Sequence, residues 1–82
     1  MQVTYFVALP FVDSEEGPQP GSAVECPTAT DARMRAEAMS RKDGNVGAVA
    51  FSRAGDPSIG EFADATVLGR YGVTPDDFAA IG

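Results

Sequence analysis

The side chains that could do chemistry in this chain are one cysteine, several scattered acids and a few arginines, because the sequence contains no histidine. Without histidine, Ser-His-Asp and Cys-His pairs cannot form, and most zinc and haem sites lose a usual ligand. Cys26 precedes Pro27 at a predicted helix start, where a helix dipole can activate a thiol. With no second cysteine to assist it, Cys26 is interpreted as a small apolar residue. We predict no catalytic residue; an enzyme would need carboxylates, Cys26 or Lys42 acting alone.

The acids do not follow the spacing of a metal site, and the glycines do not form a phosphate-binding loop. No acidic cluster has the alternating ligands and terminal glutamate of a calcium loop. Gly55 and Gly60 have a phosphate-loop interval, but Glu61 follows them where a lysine would be needed. We therefore predict no metal and no cofactor, and a weak cation site in the acidic loops remains an alternative.

Arg53 and Arg70 are the only cations outside the predicted main helix. One interpretation makes them ordinary surface residues that pair with nearby acids. The other makes them anchors for an anionic ligand or for an acidic patch on a partner, with Ile59 and Tyr71 adding apolar contact.

Composition and charge exclude several function classes. Twelve acidic and six basic residues give a net charge of −6, which repels a phosphate backbone, so we expect no nucleic-acid partner. The apolar run 3–12 is too short to span a membrane and is interrupted by Pro10. A single cysteine favours a reducing compartment. We expect a cytoplasmic protein with one domain over residues 1–82.

Hydrophobic patterns predict four strands and two helices. Alternating and continuous apolar runs predict strands at 3–12, 22–26, 45–53 and 61–70. Thr28 and Asp31 have capping-box spacing before a helix over 29–42, whose apolar stripe is Ala29, Ala32, Ala36 and Met39. Asp56-Pro57 predicts a tight turn that Gly60 completes. Thr74-Pro75 predicts a short helix that closes at Gly82.

The predicted fold class is α+β, with two layers and the element order β-β-α-β-β. Two hairpins joined by a helix form a four-stranded antiparallel sheet in the order 2-1-3-4, with the long helix on one face. Because the first and third strands are apolar on both faces, we expect both to be central. The short C-terminal helix follows the fourth strand.

One face of the predicted sheet is left without a cover. We expect the larger side chains to face the long helix, because large residues would complement its alanines: Val3, Tyr5, Val7, Leu9, Val49 and Phe51. The opposite face would then expose Phe6, Ala8, Val46, Ala48 and Ala50. The C-terminal helix, through Phe78 and Ile81, or a second subunit could cover that face.

Two segments carry a resemblance. They read YFVALPF at 5–11 and NVGAVAFSR at 45–53, the second being followed by Gly55-Asp-Pro57 and Gly60-Glu-Phe62. The chain resembles short uncharacterised bacterial proteins of the domain-of-unknown-function kind, over nearly its whole length. The resemblance implies a small stand-alone domain and transfers no activity and no binding residue.

The sequence therefore predicts a small non-enzymatic protein-interaction module that is homodimeric or binds an unidentified protein. The alternative is a domain that binds a small anionic ligand or a metal ion. The predicted contact residues are Phe6, Ala8, Ala48, Arg53, Ile59, Arg70 and Tyr71.

Overall fold

The computed structural model describes residues 2–75, in which one helix packs on an antiparallel sheet. The predicted α+β class is confirmed. The elements are β1 (Val3–Val12), β2 (Gln19–Pro20), β3 (Val24–Cys26), α1 (Ala29–Ser40), β4 (Asn45–Asp56), β5 (Glu61–Phe62) and β6 (Thr66–Gly72). The predicted C-terminal helix falls almost wholly on residues 76–82, outside the described residues. In the described part, no helix combines the length and apolar composition needed to cross a membrane.

The long strands β1 and β4 are paired with each other along their lengths, from Val3 opposite Gly55 to Phe11 opposite Gly47. The outer side of β1 pairs with β2 and β3, and the outer side of β4 pairs with β5 and β6. Six strands are described instead of the four predicted, because β5 and β6 divide the predicted strand 61–70 and β2 lies before the predicted strand 22–26. Next to β1 the interruption between β2 and β3 lies at Pro10, where the Gly21 amide donates to the Pro10 carbonyl (2.8 Å).

Helix α1 begins at the predicted Thr28 cap and has capping contacts at both ends. The Thr28 hydroxyl accepts a hydrogen bond from the Asp31 amide (3.1 Å), which satisfies one of the orphan donors of the first turn. At the other end the Asn45 side chain donates to the Met39 carbonyl (2.9 Å), and Gly44 adopts a left-handed φ of 93°. The C-terminal end of the helix is therefore fixed against the start of β4.

Helix α1 covers the face of the sheet that carries the small residues, and the predicted assignment of the two faces is wrong. Ala32 and Ala36 of the helix are fully buried. They pack in one cluster with Ala8, Cys26, Ala48 and Ala50 of the strands. Alanine against alanine lets helix and sheet approach closely, so large side chains are not needed to fill the space. Phe6, Val24, Met39, Leu68 and Tyr71 pack around this cluster.

We predict that enlarging the helix side of this contact destabilises the fold. Ala36→Leu should lower the free energy of unfolding by about 2 kcal/mol, because the added atoms must displace close-packed neighbours. Ala38→Leu on the exposed side of the same helix is the matched control and should change it by less than about 0.5 kcal/mol. Urea denaturation measures both. Equal effects would contradict the observed orientation of α1.

The face opposite α1 has its own smaller core at one end. Phe11, Val49 and Ala65 are buried there, and Leu9, Val46, Phe51 and Val67 pack against them. Ala65 lies between β5 and β6, so this connecting segment covers part of the face. The Ala63 amide donates to the Ala54 carbonyl (2.8 Å), which holds the segment beside β4.

A close backbone crossing at Gly47 requires a residue without a Cβ. The chain after β6 returns over β4, where the Val73 amide donates to the Val46 carbonyl (2.9 Å). A Cβ at Gly47 would overlap the Val73 backbone. The crossing follows directly from Gly72, whose φ is +71°.

We predict that Gly47→Ala costs about 2–3 kcal/mol of stability, because backbone atoms must move to admit the new methyl group. Gly44→Ala is the control, since it has a positive φ but no neighbour within 4 Å of an added Cβ. The control should cost only about 1 kcal/mol from backbone strain. Thermal unfolding of both variants gives the comparison, and a smaller loss at Gly47 than at Gly44 would refute the crossing.

Candidate interaction surface

The face opposite α1 carries an apolar depression that the small core does not fill. We call the following set the open patch: Tyr5, Val7, Glu25, Phe51, Arg53 and Phe62. Together with Ala23 these residues line an open depression of about 450 Å³. Four different strands contribute to it, so its shape depends on the register of the whole sheet.

Strand alternation places these side chains on one face. Val7 lies between Glu25 of β3 and Phe51 of β4, and Tyr5 lies opposite Arg53. Directly opposed residues in an antiparallel pair project to the same side of the sheet. The open patch is therefore a continuous surface across β3, β1 and β4, with Phe62 of β5 at its far corner.

Two aromatic rings form the corner of the open patch. The ring centroids of Tyr5 and Phe62 lie 6.2 Å apart at an interplanar angle of 45°. Phe62 lies opposite Gly55, and its ring occupies the space that a Cβ at Gly55 would fill. Despite these contacts Phe62 remains 48% exposed. Burying this aromatic surface against a partner is favourable, because it removes apolar area from water.

The open patch has one charge of each sign. Glu25 is exposed on β3, and Arg53 is half-buried on β4. The Arg53 Nε donates to the Ala63 carbonyl (3.1 Å), so the segment between β5 and β6 helps to orient the guanidinium. Arg53 thus has a defined position beside the aromatic corner.

Arg70 lies on the same face as Arg53, but the two arginines are not brought together. Arg53 lies opposite Tyr5 of β1 and Arg70 lies opposite Val49 of β4. Four residues of β4 separate these positions, which corresponds to about 13 Å along the strand. The Arg70 Nη1 donates instead to the Pro75 carbonyl (2.7 Å). The geometry gives no shared anion site for the pair.

The other predicted contact residues lie elsewhere. Phe6, Ala8, Ala48 and Tyr71 pack beneath α1, and Ala8 and Ala48 are fully buried. They are therefore not on the uncovered face, because α1 packs on the alanine side of the sheet. Ile59 lies at the tip of the β4–β5 turn and is 64% exposed.

Asp56 organises the turn that presents Ile59. Its Oδ1 accepts hydrogen bonds from the Ser58 hydroxyl (2.6 Å) and the Ser58 amide (2.9 Å). The Asp56 carbonyl accepts from the Gly60 amide (2.9 Å), and Gly60 takes a left-handed φ of 71°. Hydrogen bonds to the ionised carboxylate, above all the one from the Ser58 hydroxyl, hold the pKa of Asp56 below its ordinary value.

We predict that this turn loosens in acid. A carboxyl whose pKa is lower in the folded state stabilises the fold above its unfolded pKa, and that contribution disappears as the pH falls through the folded pKa. The stabilisation by Asp56 should therefore be lost as the pH falls below about 4, the ordinary pKa of aspartate. Ser58→Ala should raise the pKa of Asp56 towards its ordinary value. An NMR titration of the Asp56 carboxyl carbon measures the shift.

The distant exposed variant Ser22→Ala is the control for this titration, and it should leave the Asp56 curve unchanged. Asp56→Asn retains an acceptor without a titrating charge, so the Ile59 amide signal should lose its response to acid. An unchanged Asp56 curve in Ser58→Ala would contradict the assigned cause.

Apart from Arg53, the residues of the open patch were not among the predicted contact residues, although the sequence contains a signal for them. Tyr5, Val7 and Phe51 were assigned to one face correctly, but that face was expected to meet the helix. The charged residues Glu25 and Arg53 share the same face by strand register. Burying charged side chains against an alanine helix costs free energy. The presence of Glu25 and Arg53 would therefore have identified this face as the one that the helix does not cover.

The remaining candidates for chemistry are not assembled into a site. Within residues 2–75, no three side chains of the metal-ligating types lie close enough together to hold an ion. Cys26 is buried beneath α1 as part of the alanine cluster. Comparison with protein-family models, with curated proteins and with solved structures finds no match to this chain.

Proposed function

We propose that this chain is a non-enzymatic protein-interaction module that binds through the open patch. The observation that carries the proposal is the unequal distribution of side-chain size between the two faces. The face beneath α1 is built on alanine, whereas Tyr5, Val7, Phe51 and Phe62 lie on the face that α1 does not cover. Tyr5, Val7 and Phe51 remain partly exposed and Phe62 is exposed, and a contiguous apolar surface of this kind suits a partner.

The composition of the open patch fits a protein partner. Aromatic residues and arginine are enriched in protein interfaces, and Tyr5, Phe51, Phe62 and Arg53 supply both. The depression is shallow and open, so it suits a projecting side chain or a second sheet better than an enclosed small molecule. The net charge of −6 supports the same choice over nucleic acid.

The alternative function, binding of a small anionic ligand or a metal ion, has weaker support. Arg53 of β4 and Arg70 of β6 would have to hold one anion from separate positions along the sheet, with the row of Phe51 between them. No described group of metal-ligating side chains favours a cation site in residues 2–75. We therefore place the function on the apolar surface.

We infer two finer features together with this function. The predicted order 2-1-3-4 is supported by the pairing of β1 with β4 at the centre of the sheet. The short C-terminal helix is supported by its sequence, with Thr74 as the first capping residue and Phe78 and Ile81 as its apolar side chains. A cytoplasmic location and the resemblance to short bacterial proteins remain predictions from the sequence.

We predict that a photo-crosslinking residue at Phe62 captures the partner. The probe replaces one exposed aromatic by another, and irradiation in the source organism should give an adduct of discrete mass. Adding Val7→Asp to the same chain should abolish the adduct, because a carboxylate in the depression must be desolvated on binding.

The same probe at Met34 is the matched control, because Met34 is 64% exposed on α1 and lies on the other side of the protein. It should give no adduct that Val7→Asp removes. Absence of any discrete adduct from Phe62, or an identical pattern from Met34, would overturn the proposed function.

A further inference from the structure

We propose that the partner on the open patch is a second copy of this chain, packed face to face about a two-fold axis. This inference rests on the proposed function and names its partner. Three properties of the described residues support it: the extent of the face, the placement of its charges and the small size of the core on the helix side.

The sheet face is large enough for a stable dimer. The two longer dimensions of the protein are 38 and 25 Å, whereas the shortest is 17 Å. A face lying in the plane of the two longer dimensions has an outline of at most about 950 Å², which admits the ~800 Å² per partner of a standard interface. Pairing two such faces would bury most of the exposed ring of Phe62 and the depression beside it.

The charges of the open patch are self-complementary. In a two-fold interface, if residue i of one copy contacts residue j of the other, then j also contacts i. Glu25 and Arg53 lie on opposite sides of β1, flanking Val7 and Tyr5. One axis in the plane of the face, crossing β1 between them, sets Glu25 of each copy over Arg53 of the other. Two ion pairs then form at the margin of one apolar contact.

The core beneath α1 consists mostly of small side chains, so a dimer would stabilise the fold by adding buried apolar area. The largest fully buried side chains of the described chain are Phe11 and Val49, and both belong to the face opposite α1. The core beneath α1 is centred on alanines, which contribute little apolar area each. A second copy would enlarge the existing Phe11 and Val49 core into a continuous layer between two sheets.

The charge relation provides a sharp test, made with the full-length chain at low salt. Glu25→Arg alone should set the introduced arginine of each copy against Arg53 of the other, and Arg53→Glu alone should set the introduced glutamate against Glu25. Each variant alone should dimerise on the order of tenfold more weakly than the wild type. An equimolar mixture of the two variants should recover dimerisation, because both contacts of the mixed dimer are again between opposite charges.

The mixed dimer can be worked out contact by contact. In the proposed pairing, position 25 of one copy meets position 53 of the other. A Glu25→Arg copy and an Arg53→Glu copy therefore bring together two introduced side chains, an arginine and a glutamate, at one contact. At the other contact they bring together the native Arg53 of the first copy and the native Glu25 of the second. Both contacts are again between opposite charges.

Sedimentation equilibrium with one labelled variant measures the homodimers and the mixed dimer separately. Val7→Asp should also abolish the dimer, whereas Met34→Asp should leave it intact, and far-UV circular dichroism confirms that each variant is folded. If Arg53→Glu fails to fold because it loses its contact with Ala63, Arg53→Gln replaces it. Arg53→Gln removes the positive charge without reversing it, so it should also weaken the dimer, and the prediction can still be tested with this variant.

Several outcomes would overturn the inference while leaving the proposed function standing. These are a wild-type monomer at high micromolar concentration, a dimer insensitive to Val7→Asp, or a mixture that fails to recover dimerisation. A monomer that dimerises only in Phe78→Asp would identify residues 76–82 as the occupant instead. If crosslinking from Phe62 finds a different protein and the purified chain is monomeric, the interaction module is retained and the second copy is rejected.

Discussion

The contact on which the rest of this structure depends is the packing of alanine against alanine between α1 and the two central strands. Ala32 and Ala36 meet a sheet surface built from Ala8, Ala48 and Ala50. Close approach of this kind leaves no room for larger side chains at the centre of the contact, and Phe6, Leu68 and Tyr71 pack at its margin. Because strand residues alternate between faces, Tyr5, Val7, Val49 and Phe51 necessarily project away from the helix.

That constraint leaves the second face unevenly covered. At one end the segment before β6 brings Ala65 onto Phe11 and Val49, and both are almost completely removed from water. At the other end the rings of Tyr5 and Phe62 pack on each other, and Phe62 remains 48% exposed. The open patch therefore lies on the same face as the Phe11 and Val49 core, beyond the part of that face that Ala65 covers.

Much of the architecture could be predicted from the sequence because local rules decide it. The Thr28 cap, the alanine stripe of α1 and the Asp56–Gly60 turn each depend on neighbouring residues, and each is present. The face that meets α1 could not be read from apolarity, because both parities of β1 and β4 are apolar. The expectation that large residues complement alanines was wrong, since small residues on both layers pack equally well at a shorter separation. The interruption beside Pro10 is predictable from the strand itself, because proline has no amide to donate to the ladder. The interruption at residues 63–65 depends on cross-strand register, which single-strand patterns do not contain.

The net charge limits non-specific association between copies of an acidic protein that carries an apolar patch. A net charge of −6 makes most encounters between two copies repulsive at low ionic strength. Approach through the open patch is different, because Arg53 lies beside the aromatic corner and Glu25 lies across β1 from it. In the proposed dimer, only orientations that set opposite charges over one another offset this repulsion while the rings are buried. The charges would then limit non-specific association and favour one geometry, and added salt should reduce both effects together because it screens attraction and repulsion alike.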